Sequence, residues 1–417
     1  MSPSGRESVG LAAKPGISAI WLAAPIAAAA AFYVWNFVDL FPLIEYREWI
    51  DRAELESGLH FFYHNAIRHT VIGFSRSTSF LAVALFTSAC GPAIACHNFM
   101  HIALLLAAAA LLGLTLLRLS ECRRPVLVAG TVAFFLFTVP VLDAVAWQAT
   151  IHDKLAVLLA ALFTWYVARP RLPVLLDQPV LLALTILTVN AKESAWVVLP
   201  SLMLLAAALR LAQAPAIARA LPAAIGATLA RFALPLAYAV MHIGLAMVQL
   251  MTIDIAELAR VTSGSAGILA AFLAAFALAL AAASAWTRLM LLWAAVSFAL
   301  ALAIPLKTSA QSPFYLLVPL YYLSATLFWI ASAALDALRA RAMRAAMAAA
   351  LTAALMLHVT GFLNRVPPYR EIADLSRNFQ TALEAIRQEI ARDPPSVLRF
   401  DAPADQPQAY KLSLIHI

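Results

Sequence analysis

The most constraining feature of this chain is the recurrence of apolar runs close to the length of a membrane crossing, such as the uncharged AGILAAFLAAFALALAAASAW at 266–286. A helix needs about 20 mostly apolar residues to span a bilayer, because nothing in the hydrocarbon satisfies a stray N–H or C=O. A chain built from many such runs folds as a bundle of spanning helices. Composition agrees: 63% of the residues are hydrophobic and 12% charged, where a soluble domain has roughly 45–50% and 25%. The sequence is therefore read as an all-α, polytopic transmembrane helical bundle of about eleven spans. These are 17–38, 98–118 (after a half-buried segment beginning near 78), 125–142, 154–168, 179–191, 195–210, 232–252, 266–286, 288–306, 314–335 and 345–362. The first run also has the look of a cleavable leader, but Phe32-Tyr33-Val34-Trp35 prolongs it into an aromatic belt, which favours an uncleaved span.

The net charge of +7 points to a membrane pattern once its placement is read, and gives no support to a nucleic-acid partner. One set of connections carries Arg118, Arg123 and Arg124, then Arg169 and Arg171, Arg210, Arg219 and Arg231, Arg288, and finally Arg339, Arg341 and Arg344. The other set holds nearly all the acids: Asp39 to Glu56, Asp143 and Asp153, Glu193, and Asp254 with Glu257. The positive-inside rule puts the first set in the cytoplasm and the second outside. Residues 1–16 are then a cytoplasmic N-terminus and 17–362 the transmembrane module, with a long first outer loop at 39–77. Residues 363–411 form an extracytoplasmic linker with an amphipathic helix from about Glu371 to Ala391, stopped by Pro394 and Pro395. The final LSLIHI, Leu412 to Ile417, is what a transposase sequencing adapter encodes in frame. The expectation is that the natural chain was cut near Lys411 and that an outer C-terminal domain is missing.

Charges gather at the outer ends of the spans. NAKESAWVVLP sets Lys192 and Glu193 at the tip of a helical hairpin, ATIHDKLA sets His152, Asp153 and Lys154 at the start of a span, and Lys307 precedes TSAQSPFYLLVPLYYL. A single charged hairpin tip is most simply a wet loop. Recurrence on one face points instead to a shared polar site, because charge near membrane depth is costly. The first outer loop is long enough to carry its own structure, and 46–58 has the pattern of an amphipathic helix in the interface. Asp39 stands where the first span leaves the bilayer, a position expected to be partly desolvated and so suited to take a proton from a hydroxyl. An interfacial cap is the simpler role for the same residue.

These segments resemble, in order and spacing, the GT-C superfamily of polytopic membrane glycosyltransferases, in particular the protein O-mannosyltransferase-like and tetratricopeptide-bearing mannosyltransferase branch. NFVDLFPLIE resembles the exit of that family's first span, where an acid is the catalytic base, and this carries over to Asp39. FSRSTSFLAVALFTSACGPAIACHNFMHIALLL resembles its RPL segment, half-buried helix, Gly-Pro turn and His/Asn-rich helix start. VAFFLFTVPVLDAVAWQATIHDKLAVLLAALF resembles its FxxHPxxxEAVAWxxGRxDLLAALF segment, NAKESAWVVLP its SKExAxxLP hairpin, and QSPFYLLVPLYYL, more weakly, its RYLYLPxLG segment. The likeness covers about 36–330. Departures are Leu40 where the family has a second acid, with Glu45 as the nearest substitute, Val139-Pro140 for His-Pro, Asp143 for Glu, and Arg76-Ser77-Thr78 for RPL.

The resemblance implies transfer of a sugar from a polyprenyl-phosphate-linked donor to a hydroxyl of a protein or glycan acceptor on the extracytoplasmic face of a multi-pass membrane protein. That membrane is expected to be a bacterial inner membrane, or the endoplasmic reticulum in a eukaryote. Inverting transfer needs a base at the acceptor and positive charge at the departing phosphate. Asp39 is then the base, and Arg76, Lys154, Lys192 and Lys307 are the candidates to hold the phosphate, with Glu193 pairing with one of them and Asp143, His152 and Asp153 completing the donor site. No cofactor is required by the pattern, and dependence on a divalent metal is left open. His97 and His101 are four apart on a helix, yet no nearby carboxylate or cysteine completes a metal set, and they are expected to pack polar groups inside the bundle. Cys90, Cys96 and Cys122 show no CxxC spacing and suggest neither a disulfide framework nor zinc. Two rivals remain. A transporter or flippase of lipid-linked sugars would show charges deep in spans, broken helices and related halves; a non-catalytic membrane scaffold would need only the spans.

Overall fold

A computed structural model describes residues 15–40, 46, 49–50, 52–53, 60–65, 76–169, 172–250, 266–307 and 313–392. Glu45, residues 47, 48, 51 and 54–58 of the first-loop helix reading, Asp254, Glu257 and the 412–417 tail lie outside them. Among the described residues every regular element is helical. In chain order these are α1 (Pro15–Phe37), α2 (Ser77–Cys90), α3 (Ile94–Leu119), α4 (Pro125–Leu136), α5 (Val139–Ala146), α6 (Ile151–Val167), α7 (Val174–Val189), α8 (Val198–Leu211), α9 (Ile217–Arg231), α10 (Ala233–Leu250), α11 (Ala266–Ala282), α12 (Ala285–Lys307), α13 (Leu317–Ala337), α14 (Arg341–Leu363) and α15 (Val366–Arg392). Single 3-10 turns at Gln148–Thr150, Glu193–Val197 and Pro313–Leu316 lead into α6, α8 and α13.

Among the described residues seven helices are long and apolar enough to cross a membrane, and up to nine if each of two bent pairs is one span. The intervals 179–191 and 266–286 fall on shorter apolar helices, which accounts for the difference from the longer count read in the sequence. The first bend has a local cause. α4 and α5 meet at 49°, where Pro140 near the start of α5 cannot donate to the preceding turn. The Tyr33 hydroxyl of α1 donates to the freed Leu136 carbonyl at that break. α9 and α10 meet at 64° beside Arg231 and Phe232.

α3 packs along α6, and α13 lies between α12 on one side and α4, α6 and α11 on the others. α6 and α13 are the most enclosed of the long helices, whereas α14 turns nearly all of its surface outward. α1 crosses α3 at Gly113, where a Cβ would stand 2.2 Å from a Leu22 methyl and 3.1 Å from Val132, so only glycine fits without displacement. Close approach through small residues is the usual way to gain contact between helices that lipid cannot drive together. α3, α6 and α8 run parallel in their placement: each starts at one end of the bundle, beside the charged turns, and finishes at the other, next to Arg118, Arg169 and Arg210.

Two connections differ from expectation. Cys90 at the end of α2 and Cys96 in the first turn of α3 form a disulfide around the Gly91-Pro92 turn, correcting the reading that left these cysteines without chemistry. Gly91 has φ 52°, a left-handed backbone that a side chain resists. The segment after α14 is helical from Val366 rather than a linker to Glu371, because Pro367 and Pro368 sit in the first turn, where no intrahelical N–H is required.

Candidate functional site

One end of the bundle gathers the charged turns. Lys192 is in extended backbone, φ −167° and ψ 157°, so its side chain and that of Glu193 leave the chain in opposite directions. They do not pair with one another. The Lys192 ammonium donates to both carboxylate oxygens of Asp153, at 2.6 and 2.5 Å, and both side chains are buried, 7% and 3% exposed. Glu193 instead accepts a two-pronged contact from Arg76, Nε to Oε1 at 3.1 Å and Nη2 to Oε2 at 3.3 Å. Arg76 keeps 30% of its side chain exposed and is the cation of this group that solvent reaches. Of the four cations that Glu193 was expected to choose among, it holds Arg76, while Asp153 holds Lys192. The wet-tip reading is corrected, since Lys192 and Glu193 are both buried.

The hairpin tip is docked by main-chain contacts. Asn190 and Ala191 carbonyls accept from the Thr78 N–H at 3.1 Å and the Ser79 hydroxyl at 2.8 Å, so the start of α2 is fixed beside Glu193. The Lys192 ammonium lies 4.1 Å from the centre of the Tyr315 ring, with Phe314 next to it at 5.7 Å, an aromatic wall that favours a cation. Lys154 is wholly buried; its ammonium meets His101 Nδ1 at 3.0 Å and the Trp147 carbonyl at 3.2 Å. His152 is buried between the Trp49 and Phe80 rings. Asp143 accepts from the Phe314 N–H at 3.3 Å and the Tyr369 hydroxyl at 3.2 Å, tying α5 to the turn before α13 and to α15. The Lys307 side chain lies outside the described residues.

Asp39 lies two residues beyond the end of α1 and is exposed, not partly desolvated as its position in the sequence suggests. Its backbone is nonetheless clamped. The Asn98 amide donates to the carbonyls on either side, Val38 at 2.8 Å and Leu40 at 2.6 Å, and its own oxygen accepts from Gln148 at 2.9 Å. Gln148 follows Trp147, whose carbonyl holds Lys154. Hydrogen bonds therefore link the Asp39 turn through Asn98 to Gln148, the neighbour in the chain of the Trp147 carbonyl that meets Lys154. Neither amide was singled out in the sequence; the signal is a lone Asn one turn into a span, in HNFMH, where an uncompensated amide is costly.

The described part of the first loop covers this end. Tyr46, Ile50 and Ala53 are buried at helical spacing while Arg52 faces out. The apolar face packs on protein rather than lipid: Tyr46 sits edge-on to His101 at 4.8 Å, its hydroxyl meets His97 Nδ1 at 3.2 Å, and Trp49 meets Phe80. Burial raises the Tyr46 phenol well above its ordinary value and keeps it a neutral hydrogen-bonding group. His97 and His101 face these separate partners, and among the described residues no cluster of three His, Cys, Asp or Glu is placed to hold a metal.

Five separated stretches thus meet at one end: Val38–Leu40, Arg76–Ser79, Asp143–Lys154, Asn190–Trp196 and Pro313–Tyr315. Comparison with protein-family models, curated proteins and solved structures gives no match.

Proposed function

We propose that the protein is a membrane glycosyltransferase that moves a sugar from a polyprenyl-phosphate donor to a hydroxyl acceptor at the charged end of the bundle. The observation that carries this reading is the Asn98 clamp: the backbone on either side of an exposed carboxylate is fixed at the end of α1 that also gathers the buried ion pairs and one reachable guanidinium. A base must be accessible to its acceptor and fixed in place, and a leaving phosphate needs a preorganised cation. Both requirements have a residue here, Asp39 and Arg76.

In the proposed step Asp39 takes the acceptor hydroxyl proton as the hydroxyl oxygen attacks the anomeric carbon. The bond from that carbon to the polyprenyl-phosphate oxygen breaks, and its electron pair stays on the phosphate. Arg76 balances that charge, held in orientation by Glu193; a guanidinium presents two parallel N–H groups to a phosphate. Lys192 and Asp153 hold the hairpin that carries Glu193, and Lys154 is a positioning residue, since neither lysine is open to a ligand. The side holding this end is proposed to be extracytoplasmic, on the arginine distribution and on the Cys90–Cys96 disulfide, which persists in oxidising compartments.

The test is transfer by membranes containing Asp39→Asn beside the unmutated chain at matched expression, with radiolabelled polyprenyl-phosphate sugars supplied. A loss of at least 10²-fold, about the contribution of a general base, with an unchanged thermal midpoint is the expected result. Equal transfer by both chains removes Asp39 from the reaction; no transfer by either returns the scaffold reading to the front.

A further inference from the structure

At the end of the bundle away from Asp39, four arginines converge on a cleft of about 580 Å³. They come from four separate places: Arg118 in the last turn of α3, Arg169 just after α6, Arg210 in the last turn of α8 and Arg231 at the end of α9. Gln213 joins them on the rim, and Val167, Ala206 and Leu209 make an apolar wall. Arginines at helix ends are expected on the positive side of any membrane protein, and alone they need no ligand. Their convergence on one cavity, and their hydrogen bonding, is what departs from that expectation.

One carboxylate serves the group. Asp177 takes the Arg231 guanidinium through two contacts, at 2.9 and 3.0 Å, and also accepts from the Tyr166 hydroxyl at 2.9 Å. Among the described residues the other three arginines meet only neutral partners. Arg118 donates through Nε to the Ala168 carbonyl at 2.7 Å, Arg210 through Nη2 to the Ala227 carbonyl at 3.2 Å, and Arg169 stacks on Trp165 at 4.4 Å. The Arg210 Nε–H is buried with no acceptor among the described residues. Three guanidinium charges thus face a shared cavity without a counter-charge among the described residues, and one buried donor stands orphaned. A buried donor without a partner costs the molecule its lost hydration, and that cost is recovered if an acceptor enters.

We infer that this cleft is a binding site for a phosphate-bearing group, separate from the proposed transfer site and independent of that reading. The chemistry selects phosphate. Planar guanidinium forks approaching from several helices suit an anion with several tetrahedral oxygens, and no lysine is present to act as a bare point charge. The volume suits a headgroup-sized ligand, and the apolar wall suits the neck of a lipid. A phosphodiester headgroup of an anionic lipid and a free phosphate compound share this chemistry. Basic pockets between spans on the cytoplasmic side are a known form of headgroup recognition.

The experiment measures binding of phosphatidylglycerol, phosphatidylcholine and inorganic phosphate to the purified full chain in detergent by native mass spectrometry. Each is compared across the unmutated chain, the double variant Arg118→Gln with Arg210→Gln, the single variant Arg210→Lys and the exposed control Arg344→Gln. Phosphatidylglycerol is expected to bind the unmutated chain and phosphatidylcholine not, with a loss of about fivefold per arginine removed and no change in the control. Displacement of the lipid by millimolar inorganic phosphate identifies phosphate itself as the ligand; retention identifies the lipid headgroup. If the double variant does not fold, Arg210→Lys, which keeps the charge but not the fork, is expected to bind severalfold more weakly. Equal binding by the folded variants and the unmutated chain, or an equal loss in Arg344→Gln, overturns the proposal.

Discussion

At the scale of single residues, Lys192 distinguishes a solvated ion pair from a buried one. Lys192→Ala leaves Asp153 charged, buried and without its principal partner, a change that costs roughly 3–5 kcal/mol where a surface pair costs under 1. The expected outcome is a chain whose detergent-solubilised thermal midpoint falls sharply; a drop of a degree or less would place the pair in water. Arg76→Gln should do the reverse. Its side chain is partly open and the glutamine amide can still donate to Glu193, so stability falls less than for Lys192→Ala, while transfer falls by about 10²-fold under the proposed mechanism, the usual effect of losing one preorganised donor. The residues of this cluster were legible in the sequence because charge is rare in so apolar a chain. Their partners were not, because pairing depends on whether the backbone at 192 is helical or extended, and a hairpin tip does not declare that. Asn98 and Gln148 escaped notice for a related reason: an amide carries no charge to mark it, and its value lies in two carbonyls sixty positions away.

Among the elements, the crossing of α1 over α3 makes the sharpest prediction. Gly113→Val inserts atoms where even a Cβ meets Leu22, and overpacking of this kind costs typically 1–3 kcal/mol. Gly113→Ala should cost less, since the obstructing group is a leucine methyl that can rotate away, and the two midpoints measured side by side check the order. The helices themselves were readable from apolar runs, including the shorter apolar helix α2 ahead of the long α3. Two properties were not. Whether a run of 16 or 17 residues crosses the bilayer depends on bends and neighbours, which hydropathy averages away. The disulfide is not legible from two-residue spacing, because a Gly-Pro turn lets cysteines six apart meet. Replacing both Cys90 and Cys96 with serine should lower stability by about 2 kcal/mol, the loop-closure value for so short a ring, and loss of the effect in the reduced unmutated chain is the check.

For the molecule as a whole, orientation is the property that a single labelling experiment decides. Under the proposed orientation, which puts the disulfide turn outside and Cys122 inside, a membrane-impermeant maleimide is expected to label Cys122 only in inside-out vesicles, and Cys90 and Cys96 only from the outside after reduction. The opposite pattern inverts the topology. Orientation also gives meaning to the common direction of α3, α6 and α8, all of which begin at the charged turns and end at the arginine cleft. Each helix carries a dipole equivalent to roughly half a positive charge at its start and half a negative charge at its end. Three aligned in one bundle make a standing electrical polarity, positive beneath Asn98, Asp153 and Glu193 and negative beneath Arg118, Arg169 and Arg210. The backbone alone therefore draws anions to the first end and helps to hold the unneutralised guanidiniums at the second, before any side chain has been chosen.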